Sequence, residues 1–197
     1  MNYEIQDPDS KKLELWKEET IFVVTGGFNV DKTILPSTMT YLPKGSLLNI
    51  NHTTRVAKLV KTAKVYNAAI SSATDIDIDK AHALKVGDVV ARDADGTAYA
   101  ISAIDTTSSA DYDTITIGTT LGYALSEGDV LFVAAAEGAS GAAELVQANA
   151  VNYVDVDLAG TPAATVIVRA YEVKEAKLPY ATHALNKTSL TSRFYFI

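Results

Sequence analysis

Residues 84–91 read Leu84-Lys85-Val86-Gly87-Asp88-Val89-Val90-Ala91, and residues 125–133 read Leu125-Ser126-Glu127-Gly128-Asp129-Val130-Leu131-Phe132-Val133. Both stretches carry Leu-x-x-Gly-Asp-Val followed by apolar residues. Gly-Asp is turn chemistry: glycine takes positive φ without steric cost, and the aspartate can hold nearby backbone N–H groups. The β-branched run behind it predicts a strand entering a core. Between the copies, residues 99–104 (Tyr-Ala-Ile-Ser-Ala-Ile) and 112–117 (Tyr-Asp-Thr-Ile-Thr-Ile) are two more candidate strands. The middle of the chain therefore predicts a compact β unit with two matching corners, and nothing in it is chemistry.

Working outward, residues 1–19 form a charged N-terminal arm whose one large anchor is Trp16, the only tryptophan. Residues 21–24 predict a strand ending at Gly26-Gly27. Residues 26–33 (Gly-Gly-Phe-Asn-Val-Asp-Lys-Thr) nearly spell a phosphate-binding loop. Asp31 stands where that loop needs glycine, and Pro36 follows where a helix should begin, so the segment predicts a turn. Arg55, Lys58, Lys61 and Lys64 recur every third residue. They are read as a solvated face of strands and as the densest positive patch on the chain. Asp75-Ile76-Asp77-Ile78-Asp79 alternates and places three carboxylates on one side of a solvent-facing edge strand. Lys80 and Val86 stand where an EF-hand loop needs glycine and glutamate. Asp93-Ala94-Asp95-Gly96 predicts a hairpin turn.

Residues 138–143 are small and read as a linker. Residues 149–157 and 164–173 predict two more strands, and Pro179 begins an irregular tail ending Arg193-Phe194-Tyr195-Phe196-Ile197. The expected architecture is all-β. A small sandwich or barrel-like base domain is formed by 20–63 plus 138–197, and a second small β-barrel domain, 64–137, is inserted into it.

The chain has 197 residues, 48% hydrophobic and 21% charged, which suits a folded globular protein. A net charge of -7 argues against a broad nucleic-acid surface. With no cysteine there is no thiolate chemistry and no disulfide. No apolar run reaches the roughly 20 residues of a membrane-spanning helix, and residues 1–4 have no signal-peptide character. The expectation is a soluble protein made in a cytoplasm. His52, His82 and His183 fall in no metal-ligand spacing. No catalytic residue, cofactor or metal ligand is predicted.

Three phrases resemble head-decoration and head-fibre proteins of tailed bacteriophages. Leu42-Pro43-Lys44-Gly45-Ser46-Leu47 is similar to the Leu-Pro-x-Gly-Thr-x-Leu opening of such β domains. A strand leads out of Lys61-Thr62-Ala63-Lys64 at Val65. Residues 154–157 (Val-Asp-Val-Asp) and 164–170 (Ala-Thr-Val-Ile-Val-Arg-Ala) resemble a valine–aspartate phrase and a valine run ending in Arg-Gly, with Ala170 in place of that glycine. The resemblance spans about residues 40–175. It implies a non-enzymatic auxiliary capsid protein on the outer surface of the virion, present in the host cytoplasm during assembly. The implied partners are the major capsid protein and two sister copies in a homotrimer. Trp16, Arg193, Phe194, Tyr195, Phe196 and Ile197 are the candidate interface residues. The alternative is a carbohydrate- or surface-binding β module, with a host-surface glycan as partner.

Overall fold

A computed structural model describes residues 14–197; the first thirteen residues of the N-terminal arm lie outside the described residues. The Leu-x-x-Gly-Asp corner is the recurring local unit of the fold. At 84–88, Gly87 takes φ 90°, the Asp88 N–H donates to Lys85 O at 3.1 Å, and the Asp88 carboxylate accepts the Lys85 N–H at 2.8 Å. At 125–129, Gly128 takes φ 89°, the Asp129 N–H donates to Ser126 O at 3.1 Å, and the carboxylate accepts the Ser126 N–H at 2.9 Å.

A third copy stands at 42–46. Gly45 takes φ 89° and the Ser46 N–H donates to Pro43 O at 3.3 Å. Pro43 has no N–H for a carboxylate to hold. Serine replaces aspartate, and its hydroxyl donates to Pro43 O at 2.7 Å instead. In every copy the glycine N–H reaches another segment of backbone: Gly87 to Ile101 O at 2.8 Å, Gly128 to Val65 O at 2.9 Å, and Gly45 to Asn152 O at 2.9 Å. The leading leucines, Leu42, Leu84 and Leu125, are all buried. The corner thus pins a buried leucine and starts or docks a strand in one move.

The described residues form fourteen strands. The first five are β1 (Phe22–Val30), β2 (Tyr41–Leu42), β3 (Leu47–Asn51), β4 (Val56–Leu59) and β5 (Thr62–Lys64). Then come β6 (Asp75–Asp79), β7 (Val89–Ala91), β8 (Tyr99–Asp105), β9 (Tyr112–Ile117) and β10 (Val130–Ala134). The last are β11 (Ala150–Asn152), β12 (Val156–Asp157), β13 (Ala163–Val173) and β14 (Phe194–Phe196).

One sheet has the order β1-β4-β3-β11-β13-β14, and β1 also pairs with β13, so its first five strands close into a barrel. Only the β1–β4 and β13–β14 contacts are parallel. The barrel is filled by Phe28, Leu48, Leu59, Ala164 and Val166. The second sheet has the order β5-β10-β7-β8-β9-β6 and is antiparallel throughout. Its two edges meet where Val65 bridges Ile78 and the Tyr66 N–H donates to Asp77 O at 2.8 Å. Ile76, Ile78, Ile101, Ile115 and Leu131 pack inside it. The fold is all-β, as the alternating patterns predict, with one short α-helix, α1 (Ala184–Leu190), among the described residues.

Several local expectations are corrected. Strand β1 continues through Gly26-Gly27 to Val30, with a bulge between Val24 and Phe28. Lys32–Ile34 form a one-turn 3-10 helix capped by Asp31, whose carboxylate accepts the Thr33 N–H at 3.0 Å. The place an anion would take is held by the chain's own carboxylate. The Asp75–Asp79 segment, β6, is the last strand in its sheet order, paired with β9, and the Val65–Ile78 bridge covers part of its other side. Its aspartates do face outward, and Asp75 and Asp77 accept the hydroxyls of Thr116 and Thr114, each at 2.7 Å. Residues 138–143 are not a loose linker: Gly138 bridges Ala98, the Gly141 N–H donates to Asp95 O at 2.9 Å, and Ala142 is buried. Backbone hydrogen bonds hold the segment against the 93–98 turn, and only Ala142 of its side chains is buried. The tail after Pro179 is also ordered. His183 caps α1, accepting the Leu185 N–H at 3.2 Å, while Asn186 Oδ1 accepts the His183 N–H at 3.1 Å.

Candidate functional site: the terminal seam

The polar clusters are the first candidates for chemistry. His82 is buried beside Asp113, its Nε2 3.1 Å from Asp113 Oδ2, and Lys80 Nζ lies 2.6 Å from Asp113 Oδ1. The arrangement faces a cleft of about 350 Å³ that also holds Ser37 and Thr38. A general base needs a free ring nitrogen. His82 Nδ1 accepts the Leu84 N–H at 3.1 Å, so Nε2 carries the proton and gives it to Asp113. Both nitrogens are engaged. Burial also holds the ring below its ordinary pKa, against the opposing pull of Asp113. His183 is locked the same way, with Nε2 donating to Arg92 O at 2.8 Å and Nδ1 accepting from Leu185. Burial lowers its pKa too. Among the described residues, no group of three or more His, Asp or Glu side chains is placed to hold a metal.

A cleft of about 670 Å³ lies between the outer faces of β3 and β4 and residues 144–147. Its walls include Asn49, Asn51, Thr54, Lys58 and Gln147, and no aromatic ring. Asn51 Oδ1 is already used by the Thr53 and Thr54 N–H groups, and Asn49 Nδ2 by Gln147 O. A sugar would find no stacking platform there.

The four evenly spaced cations do not form one face. Lys58 and Lys64 are on the solvent side, next to Asp31 and Asp79. Arg55 lies over the Phe28 ring at 4.0 Å and donates to Gly27 O at 2.8 Å. Lys61 is buried against Asp88. A spacing of three alternates sides on extended chain, so the inward position had to bring its own counter-ion.

Residues 15–17 and the C-terminal strand converge on the far half of β13. On one side the Lys174 N–H donates to Leu15 O at 2.7 Å and the Lys17 N–H to Tyr171 O at 3.3 Å. On the other, the Ile197 N–H donates to Val173 O at 2.8 Å and the Glu175 N–H to Ile197 O at 3.0 Å. The six residues expected to make contacts divide here. Trp16 is 3% exposed and stacks on Tyr153 with the Lys44 ammonium 4.8 Å from its ring. Phe194 is 5% exposed. Both belong to the chain's own core, with Leu47, Ile167 and Leu190, so neither is offered to a partner. Their apolar area finds its cover inside the fold. Phe196 is half-buried. Arg193, Tyr195 and Ile197 stay exposed, the last two at 62% and 58%.

The structure adds residues that the sequence does not single out. Phe22 is 56% exposed and Tyr171 42%. Phe22 sits opposite Arg169 in the β1–β13 register. Arg169 and Tyr171 alternate outward along β13 around the buried Ala170. Apolar Phe22, Tyr171, Tyr195 and Ile197 are therefore mixed with Lys17, Glu19, Arg169 and Glu172. None of these four charged side chains has an ion-pair partner among the described residues. The seam thus carries exposed apolar side chains beside charges of both signs. No family model matches the chain, and no curated protein or solved structure matches it.

Proposed function

We propose that the protein is a non-enzymatic structural subunit of a virion, decorating the outer capsid surface of a phage as a head fibre or auxiliary capsid protein. The observation that carries this reading is the convergence of two of the three resembling phrases; the third, 61–65, runs into β5 of the second sheet. The 42–47 corner bonds through Gly45 to Asn152 O on β11. β11 pairs with β13, which holds 164–170, and β12, within 154–157, pairs with β2 beside the corner. Phrases far apart in sequence thus meet in and beside one closed barrel. Contacts with the shell would use the exposed side chains of the terminal seam, and both ring nitrogens of His82 and of His183 are engaged in hydrogen bonds. The proposed partners are the major capsid protein and sister copies in a homotrimer. The protein would stiffen the shell or project from it.

Deleting the coding sequence from its parent phage and imaging the particles by cryo-electron microscopy tests this. Loss of a regular external density, restored by adding the purified chain, is the expected result. Particles with identical surfaces with and without the protein would refute it.

A further inference from the structure

Lys61 lies between β4 and β5, where the chain passes from the first sheet to the second. Its side chain is 2% exposed, and that of Asp88, in the first Gly-Asp corner, 6%. Lys61 Nζ is 2.5 Å from Asp88 Oδ1 and 2.5 Å from Oδ2. A point that close to both oxygens is within roughly 3 Å of the carbon between them, inside the range at which bound reactants are poised to join. Charge-assisted N–H···O contacts ordinarily run about 2.7–2.9 Å.

The remaining neighbours of the pair are informative. Nζ donates to Ile34 O at 2.9 Å, and Asp88 Oδ2 accepts the Lys85 N–H at 2.8 Å. One acceptor faces the nitrogen and one donor faces one oxygen. That is the hydrogen-bond inventory of a secondary amide, which has one N–H and one carbonyl. Two desolvated charges are costly even when paired, and a neutral amide in the same place removes both. Burial also lowers the Lys61 pKa, which favours the nucleophilic amine.

We infer that Lys61 and Asp88 condense to an intramolecular isopeptide bond that ties the junction of the two sheets to the first Gly-Asp corner. One ammonium proton passes to Asp88 Oδ1, leaving a neutral amine and a carboxylic acid. The Nζ lone pair attacks Cγ, with the Lys85 N–H holding Oδ2 as it gains negative charge. A second proton moves from nitrogen to the Oδ1 hydroxyl, the Cγ–Oδ1 bond breaks, and water leaves. The third hydrogen stays on the amide nitrogen and points to Ile34 O. No oxidant, metal or co-reactant is required. The matching corner serves as an internal contrast. Asp129 makes the same turn but has Arg92 at 3.7 Å, and a guanidinium that stays protonated is no nucleophile. In a chain with no cysteine, such a link would restrict the unfolded state as a disulfide does.

The test is the intact mass of the purified full chain under denaturing conditions, followed by peptide mapping. The expected mass is one water below that of the sequence, with a branched peptide joining Lys61 to Asp88 and no tryptic cleavage after Lys61. Asp88→Ala should show its full sequence mass. A native chain at full sequence mass, with Lys61 free to trypsin, overturns the inference. So does a water loss that maps to Asp95-Gly96, where succinimide formation would give the same shift.

Discussion

Alanine at the three corner glycines separates backbone strain from packing. Gly87 has φ 90° and Gly128 φ 89°, and a Cβ built at either meets nothing within 4 Å. The cost of alanine there is conformational alone, about 1–2 kcal/mol for a left-handed residue. A stiffer unfolded chain returns about 0.4–1 kcal/mol. The net loss at each is expected near 1 kcal/mol. Gly45 has the same φ, but its Cβ would stand 2.9 Å from Leu15 Cδ1 and 3.1 Å from Pro179 Cδ. Overpacking adds about 1–3 kcal/mol, so Gly45→Ala should lose roughly twice or more what the others lose. Urea unfolding followed by circular dichroism measures all three. Equal effects at Gly45 and Gly87 would refute the docking of Leu15 and Pro179 on the corner. Three neutral variants would refute the strained turn itself.

Trp16 is buried, yet its indole nitrogen has no hydrogen-bond partner in the described residues. Trp16→Phe should therefore be tolerated, while Trp16→Ala should cost about 3–5 kcal/mol, both read from urea midpoints. Removing residues 194–197 strips β14 and buried Phe194, and should cost at least the roughly 1.5–3 kcal/mol of one buried aromatic; calorimetry shows whether the transition moves or stays. Burial pushes the Glu144 carboxyl from 4.5 up to about 7, despite the amide donated by Asn186. A carboxyl raised on folding stabilises below its unfolded value and loses that contribution as pH rises through the folded one. The native chain should thus gain stability relative to Glu144→Gln as pH falls from 7.5 to about 4.5. His82 has the opposite sign. Its folded pKa lies below 6.5, so relative to His82→Gln the native chain should lose stability as pH falls below 6.5.

The two Gly-Asp corners are legible in the sequence because their chemistry is local: one glycine and one carboxylate satisfy a turn without help from the rest of the chain. The third is hidden because Pro43 removes the N–H that an aspartate would hold, and serine takes its place. Helix α1 is hidden for a related reason. Its seven residues include Thr188 and Ser189, only Asn186 and Leu190 are buried, and no apolar stripe advertises it. Lys61 is misplaced by its spacing, which shows where a side chain recurs but not which side of a closing barrel it meets. The seam is half legible. The aromatic tail signals a contact, but whether Phe194 or Tyr195 turns inward is decided by pairing with β13, a strand some twenty residues upstream. Phe22 and Tyr171 become neighbours of the tail only through that sheet.

The most direct test of the decoration account is binding of the purified chain to shells prepared from particles that lack it. The native chain and Tyr66→Ser, altered on the second sheet away from the seam, are expected to fill the shell equally. Arg169→Glu combined with Tyr195→Ser should fold normally and bind at least tenfold more weakly, a loss of about 1.4 kcal/mol or more. A native chain that does not bind shells contradicts the account, and so does a seam variant that binds as well as the native chain.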